Sequence, residues 1–339
     1  MTQTNLNVIG LFAGVGGIEL GFEKAGFKPL VANEIDAYAA TTYRQLHKQP
    51  VFVADINDVT ANNLLGFLQE HGVEKAELRG GVLTGGFPCQ PFSVAGHRRG
   101  FEDPRGNVFW QIHRLINEIQ PEVIFLENVK NLKGHDEGKT FETIIQALEG
   151  EISSPSGVKL SQKYWVKEAV LNAKDFGVPQ NRERIFIVAF RDKTAFDKFE
   201  FPQPTAKTPS LDKFIDFDSK VDDKYYYTSE RPFYSKLEEA ITEQNVIYQW
   251  RRQYVRANKS GVSPTLTANM GMGGHNVPLI KSKHGIRKLT PTECFRLMGF
   301  KSPSFPDGMA ESRLYKQAGN AVVVNVIEAI AQKIKTAIS

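Results

Sequence analysis

Residues 7–34, NVIGLFAGVGGIELGFEKAGFKPLVANE, contain an apolar run, an amphipathic segment and a second apolar run. The same alternation continues through the first half of the chain, as far as the run RIFIVAF at 184–190. Short apolar runs separated by amphipathic segments predict a mostly parallel sheet with helices on both faces. We therefore predict an α/β fold with a doubly wound sheet, in which ligands bind at the carboxyl ends of the strands.

The composition is that of a globular protein, with 339 residues, 41% hydrophobic and 24% charged. No run of about 18 apolar residues occurs, and the first residues do not resemble a secretory signal, so we expect a cytoplasmic protein without membrane association. Cys89 and Cys294 are too few for a disulfide framework, and no Cys/His cluster has metal-ligand spacing, so no metal is expected. A net charge of +4 permits a polyanionic partner without requiring one.

The pattern of strands and helices changes near Thr194. Segment 201–233 is rich in proline, aromatic residues and alternating charge, and helical patterning returns only in the C-terminal part. We therefore predict a catalytic and cofactor-binding domain formed by residues 1–193 and 286–339. Residues 194–285 are predicted to form a second, smaller, irregular and β-rich domain.

The glycine-rich stretch FAGVGG at 12–17 lies between a predicted strand and a predicted helix. Glycines there allow a ligand to approach the backbone, although a simple tight turn is the alternative. The spacing is not G-x-G-x-x-G, so a dinucleotide site is disfavoured. Glu34 and Asp55 follow the next two strands, where carboxylates either bind a ribose and an exocyclic amine or cap the strand ends. Together these residues predict a nucleoside pocket without phosphates.

The stretch GGFPCQPFS at 85–93 contains Cys89 between prolines, which favours a rigid turn that presents the thiol over a buried, inert cysteine. Glu127 ends the run EVIFL and is interpreted either as an ion-pair partner or as a carboxyl group that faces a site. Arg182 and Arg184 alternate in QNRER, at the start of a strand. A cysteine, a glutamate and an arginine of this kind supply a nucleophile, a proton donor and an anchor for a substrate, in that order.

Segment 246–276 places arginines among aromatic residues, ahead of a glycine-rich loop. Such a segment is either a solvated face or a nucleic-acid contact.

Taken together, the motifs of this sequence resemble those of the DNA (cytosine-5)-methyltransferase family, of the bacterial restriction-modification type. The motifs FAGVGG, GFPCQPFS, ENVKN, QNRER, RKLTPTECFRLMGF and QAGNAVVVNV stand in that family's order and spacing, from residue 12 to about residue 326. The resemblance implies S-adenosyl-L-methionine as methyl donor and double-stranded DNA as substrate. Residues 194–285 would then be the target-recognition domain.

The resemblance also implies roles for individual residues. Cys89 would attack cytosine C6, Glu127 would act at N3, and Arg184 would hold O2 with Arg182 beside it. The implied cofactor contacts are Phe12, Gly14, Gly16, Gly17, Glu34, Ile35, Asp55, Ile56, Pro88, Val108, Asn320 and Val322. The implied DNA contacts are Ser93, Arg98, Arg105 and Thr265. Arg251, Arg252 and Arg256 are candidate DNA contacts from the pattern of segment 246–276 itself. Ile35 departs from the family, which often has an aromatic residue there.

The cytosine would be flipped out of the duplex, because C6 is inaccessible within the base stack. By analogy with the family we expect a monomer that works with a restriction endonuclease without forming a stable complex with it. Three alternatives stay open on the sequence: a tRNA cytosine-5 methyltransferase, a catalytically silent DNA-binding protein, and a nicotinamide-dependent oxidoreductase.

Overall fold

The computed structural model describes residues 6–73, 80–87, 108–204, 207–272 and 275–339. Two compact units are formed by the described parts of the chain. The first comprises Met1–Leu171, Glu183–Gln203 and Val326–Ser339, and the second comprises Asn172–Arg182 and Pro204–Asn325.

The described strands and helices follow one another along the chain with these bounds. The strands are β1 (Asn7–Leu11), β2 (Lys28–Glu34), β3 (Val51–Val53), β4 (Val82–Gly86), β5 (Val123–Val129), β6 (Trp165–Asn172), β7 (Gln180–Asn181), β8 (Glu183–Phe190), β9 (Ile247–Trp250), β10 (Val255–Asn258), β11 (Ser263–Pro264), β12 (Val277–Ser282) and β13 (Gly285–Lys288). The helices are α1 (Gly17–Lys24), α2 (Ala37–Leu46), α3 (Ala61–Glu70), α4 (Val108–Ile119), α5 (Lys139–Leu148), α6 (Lys193–Lys198), α7 (Tyr234–Ala240), α8 (Pro291–Arg296), α9 (Glu311–Asn320) and α10 (Val324–Ile338).

The first unit contains a seven-stranded sheet in the order β3-β2-β1-β4-β5-β8-β6. The pairs β1·β2, β1·β4, β2·β3 and β4·β5 are parallel, and β5·β8 is antiparallel. The carboxyl ends of β1 to β5 therefore lie along one edge of the sheet. The prediction of a mostly parallel α/β sheet is confirmed, and among the described residues the predicted site residues after β1, at the end of β2 and in β5 fall at that edge.

Helices cover both faces of this sheet. Ile124 and Leu126 of β5 belong to a buried cluster that includes Ile112 and Ile116 of α4. Phe125, which points to the opposite face because side chains alternate along a strand, packs edge-on against Phe22 of α1 with ring centroids 5.3 Å apart. On each face of the sheet a helix therefore buries the apolar side chains, which is the arrangement expected of a buried parallel sheet.

The second unit contains a four-stranded antiparallel sheet in the order β10-β9-β12-β13 and a short parallel pair, β11 and β7. Its apolar core comprises Leu237, Ile241, Tyr248, Trp250, Val277, Leu279 and Ile286. The expectation of a second, β-rich part of the chain is confirmed.

The limits of this unit differ from the boundaries expected from the sequence, since residues 286–325 belong to it. The reason is strand β13, which pairs with β12 and continues the antiparallel sheet past residue 285. Arg287 on this strand is fully buried and is paired with Glu293 of α8, with Nη2 2.7 Å from Oε1. A buried charge needs such a partner, so the strand and the following helix stay in one unit.

Candidate active site

The glycine loop between β1 and α1 turns through backbone conformations that favour glycine. Gly14 and Gly16 have φ of 57° and 80°, and Gly16 N–H donates to the Ala13 carbonyl at 2.8 Å. A Cβ on Gly16 would overlap the imidazole of His47. Phe12 also lies in the left-handed region, with φ of 54°, although it has a side chain. Such a conformation costs on the order of 1–3 kcal/mol and persists only where the surroundings enforce it.

Glu34, at the end of β2, holds this loop in place. Its carboxylate accepts a hydrogen bond from Gly14 N–H at 2.7 Å and another from Asp36 N–H at 2.8 Å. The adjacent Ile35 side chain is 61% exposed, and no described residue lies within 4 Å of the position a Gly14 Cβ would take. A fixed carboxylate, an open backbone and an exposed apolar side chain suit a nucleoside, and none of these residues is a cation that would hold a phosphate.

The next predicted cofactor residues follow β3. Asp55 Oδ1 accepts hydrogen bonds from Asn57 N–H at 2.9 Å and from the Asn57 side-chain amide at 2.7 Å, so this carboxylate stabilises the turn. Ile56 is buried in the main core. Gly17 and Val108 are the first residues of α1 and α4. Contact of these residues with a cofactor stays a prediction.

A buried carboxyl group that the sequence analysis did not single out lies beneath the glycine loop. Glu19, in the first turn of α1, is 1% exposed, and neither of its oxygens has a hydrogen-bond partner among the described residues. Burial raises the pKa of Glu19 to about 8. A Cβ on Gly10 would overlap this carboxyl, so the glycine in β1 leaves the space it occupies. The only sequence signal was an acidic residue beside apolar ones at the start of a helix.

Glu127 and Arg184 come together although they were predicted from separate motifs. Antiparallel pairing of β5 with β8 sets Val129 opposite Arg184, and Arg184 Nε lies 3.0 Å from Glu127 Oε1. Both side chains are largely buried, at 10% exposure for Glu127 and 16% for Arg184. The pair therefore presents a carboxyl group and a guanidinium group in one fixed arrangement.

The strand that leads to Cys89 lies beside this pair. Gly86, at the end of β4, is in register with Glu127. The Asn128 amide donates to the Phe87 carbonyl at 3.0 Å and so holds the chain as it leaves β4. Cys89 itself, with Pro88, Ser93, Arg98 and Arg105, lies outside the described residues. Cys294, the other cysteine, is fully buried, as expected of a core residue.

Arg182 has a different environment from Arg184. Its side chain is buried, and its guanidinium donates to the backbone carbonyls of Leu266, Gly319 and Ala321 at 2.9, 3.0 and 2.8 Å. The Leu266 carbonyl lies in segment 246–276 and the other two lie in the motif QAGNAVVVNV, and all three belong to the second unit. The predicted contact of Arg182 with the base stays untested, whereas its contacts with the backbone are part of the structure.

The remaining predicted contacts lie in the second unit. Thr265 is half-buried and donates from Oγ1 to the Asn181 carbonyl at 2.7 Å. Asn320 ends α9 with an exposed side chain, and Val322 is buried.

The arginines of segment 246–276 lie in the hairpin formed by β9 and β10. Arg251 and Arg252 lie in its turn, where Arg251 N–H donates to the Tyr254 carbonyl at 3.0 Å, and Arg256 is exposed on β10. Tyr248 and Trp250 face the core and therefore present no surface for stacking with a base.

No helix in the described ranges is long and apolar enough to cross a membrane. Within the same ranges, no group of three or more His, Cys, Asp or Glu residues is arranged to hold a metal ion.

Comparison with known proteins defines the class. The model of the C-5 cytosine-specific DNA methylase family matches residues 6–336, and the chain belongs to this family. It is a DNA (cytosine-5)-methyltransferase of the restriction-modification type, and family membership implies S-adenosyl-L-methionine as the methyl donor and double-stranded DNA as the substrate. The oxidoreductase alternative is therefore wrong.

Among its relatives are type II methyltransferases. The chain is 50% identical over 333 residues to type II methyltransferase M.Bsp6I of Bacillus sp. (strain RFL6), covering 97% of this chain and 98% of that one. It is 35% identical to type II methyltransferase M.NlaX of Neisseria lactamica, covering 98% and 97%. The solved structure of the Entamoeba histolytica methyltransferase EhMeth shares the fold, with a TM-score of 0.70 at 19% identity, covering 98% of this chain and 99% of that one.

Proposed function

We propose that this enzyme methylates C5 of a cytosine flipped out of a short, specific duplex site, through a covalent bond between Cys89 and C6. The observation that carries the proposal is the pair formed by Glu127 and Arg184, beside the end of the strand that leads to Cys89. We further propose that this methylation protects host DNA from a cognate endonuclease, as the type II relatives suggest.

Cytosine C5 needs activation before it can take a methyl group. In the proposed reaction the Cys89 thiolate forms the S–C6 bond, and the electron pair of the C5–C6 double bond becomes available at C5. That electron pair forms a C5–CH3 bond with the methyl group of S-adenosyl-L-methionine, the S–CH3 bond of the sulfonium breaks, and S-adenosylhomocysteine is the leaving group. Loss of the C5 proton, for which water is a sufficient acceptor, then re-forms the double bond and expels the thiolate. The enzyme is regenerated, and the product carries 5-methylcytosine.

Glu127 and Arg184 are proposed to stabilise the charge that develops on the ring. Addition at C6 places negative charge on N3 and O2, where a carboxyl group that donates a proton or hydrogen bond and a guanidinium group relieve it. The contact between Arg184 Nε and Glu127 Oε1 at 3.0 Å fixes the two groups relative to each other before the base arrives. Such preorganisation is what makes charged groups effective in a desolvated site.

The cofactor is proposed to bind along the carboxyl ends of β1 to β3. Glu34 already accepts from Gly14 and Asp36, and ribose hydroxyls would be further donors to the same carboxylate. Ile35 offers an apolar surface to the adenine, and Phe12 another. The roles of Gly16, Gly17, Asp55, Ile56, Pro88, Val108, Asn320 and Val322 are proposed from the matching family motifs.

DNA recognition is assigned by proposal to residues 194–285. Arg251, Arg252 and Arg256 surround an exposed hairpin turn, where cations are available to phosphates. Thr265, Ser93, Arg98 and Arg105 are proposed to contact DNA nearer the flipped base, on the strength of their motifs alone. We propose a monomer, which size-exclusion chromatography with light scattering would test against a chain mass of 38.0 kDa.

Bisulfite sequencing of DNA from cells that express the protein tests this function. We expect a single short motif to be methylated by the wild type and by Cys294→Ala, and no methylation by Cys89→Ala. Cys294→Ala is the matched control because it removes the other, buried cysteine. A methylation assay in which the purified enzyme is given either duplex DNA or tRNA distinguishes a DNA methyltransferase from a tRNA methyltransferase. Methylation by Cys89→Ala at the wild-type rate, or methylation of tRNA alone, would refute the proposal.

A further inference from the structure

Arg182 joins two segments of the second unit that are far apart in the sequence. Nη1 donates to the Leu266 carbonyl at 2.9 Å, and Nη2 donates to the carbonyls of Gly319 and Ala321 at 3.0 and 2.8 Å. The side chain is 3% exposed, so these bonds form in a desolvated setting where charge-assisted hydrogen bonds are strong. One guanidinium therefore holds the main chain of both segments.

The two segments carry different predicted contacts. Leu266 follows Thr265, which is proposed to lie near the flipped nucleotide. Gly319 and Ala321 flank Asn320 and precede Val322, which are proposed to contact the cofactor. A displacement of one segment is therefore transmitted to the other through Arg182.

Close packing joins the same segments independently of Arg182. A Cβ on Gly319 would overlap the backbone of Thr267 and Ala268, which cannot move aside as a flexible side chain would. A Cβ on Gly271 would lie 2.6 Å from the Cβ of Tyr315 in α9. The segment 265–271 therefore lies directly against α9, with the glycines as the only residues that fit.

Gln180 adds a further bond to this junction. Its side-chain carbonyl accepts from Leu266 N–H at 3.1 Å, and its amide donates to the Leu297 carbonyl at 2.7 Å. Gln180 and Arg182, the two buried residues of the QNRER motif, therefore both bind the backbone of Leu266.

We propose that Arg182 is a positioning residue that couples DNA binding to cofactor binding, by holding the segments 265–271 and 319–322 in one arrangement. This inference rests on the proposed function. Coupling between two sites is reciprocal, so the duplex tightens cofactor binding by the factor by which the cofactor tightens duplex binding. A lysine at position 182 has a point charge and no planar fork, so it cannot satisfy the three carbonyls together.

The test measures the dissociation constant of S-adenosylhomocysteine by calorimetry, with and without a duplex carrying the methylated motif. For the wild type we expect the duplex to tighten binding on the order of tenfold. In Arg182→Lys, and independently in Gly319→Ala, the ratio should fall to within about twofold of unity. Arg287→Lys is the matched control: it alters another fully buried arginine of the same unit, paired with Glu293, and should keep the wild-type ratio.

A duplex with an abasic site at the target cytosine separates positioning from base contact. If Arg182 positions the two segments, Arg182→Lys loses the same factor on the abasic duplex as on the normal one. If it contacts the base, the difference between wild type and variant disappears on the abasic duplex, and the proposal is overturned. A wild-type ratio of unity, or an equal loss in Arg287→Lys, overturns it as well. Failure of the proposed function would instead appear as absence of methylation by the wild type.

Discussion

Replacement of Glu19 by glutamine tests the electrostatics beneath the glycine loop. The Glu19 carboxyl is 1% exposed and has no hydrogen-bond partner among the other described residues, so burial disfavours its charged form more than its own backbone stabilises it. Burial, and to a smaller extent the nearby Glu34 carboxylate, raises the pKa of Glu19 from 4.5 to about 8. The group is therefore neutral in the folded protein at pH 7, and glutamine mimics that state.

The pH dependence follows from the direction of this shift. In the unfolded chain Glu19 ionises above pH 4.5, whereas in the folded protein it keeps its proton up to about pH 8. Its contribution to stability is therefore complete below pH 4.5 and is lost progressively as the pH rises to about 8. The difference between 8 and 4.5 corresponds to about 5 kcal/mol of unfolding free energy, at about 1.4 kcal/mol for each pH unit.

The assay is urea unfolding of the wild type and Glu19→Gln at pH 5, 6, 7 and 8, in a Trp250→Phe background. The remaining tryptophans, Trp110 and Trp165, both belong to the first unit, so their fluorescence reports on the unit that contains Glu19. We expect the stability of Glu19→Gln relative to the wild type to increase steadily with pH. Glu23→Gln, an exposed substitution on the same helix, is the control and should show no such trend. A constant difference between wild type and Glu19→Gln across this range would refute the reasoning.

Three further predictions concern the first unit. Gly10→Ala should destabilise the protein by roughly 1–3 kcal/mol, because the new methyl group overlaps the Glu19 carboxyl, and a double-mutant cycle with Glu19→Ala in chemical denaturation should recover most of this loss. Glu34→Gln should weaken binding of S-adenosylhomocysteine on the order of tenfold in calorimetry, because a charge-assisted bond to Gly14 N–H is lost; unchanged affinity would remove Glu34 from the cofactor site. Burial lowers the pKa of His113 to about 4, so its contribution to stability is present above pH 6.5 and is lost as the pH falls towards 4. In His113→Leu this part of the acid dependence, about 3 kcal/mol, should be absent from thermal or urea unfolding between pH 6.5 and 4.

The regular pattern of the first half of the chain was enough to predict its architecture. The spacing of the apolar runs depends only on local geometry, since strands and helices each have a fixed period of side-chain direction. The turn at the glycine loop could also be predicted from the sequence, because Gly14 and Gly16 occupy conformations that other residues rarely adopt. Residue identity in the motifs then indicated the class of enzyme.

The boundaries of the second unit could not be predicted from local sequence pattern in the same way. Strand β13 continues a sheet begun by β9 and β12, and that pairing depends on residues distant in the sequence. The helical pattern after residue 290 carries no information about which sheet it accompanies.

The sequence by itself determined the order of strands and helices along the chain, the conformation of the glycine loop and the family, because these depend on local period and residue type. Only the tertiary structure decided which charged groups meet. Arg184 reaches Glu127 because β8 is the antiparallel neighbour of β5, whereas Arg182, two residues earlier, binds backbone carbonyls. Glu19 has no hydrogen-bond partner for its carboxyl among the described residues, and Gly10 leaves the space that this carboxyl occupies. The physical reason is that a polar side chain takes its role from the groups that the fold places within hydrogen-bond distance, which no local pattern records.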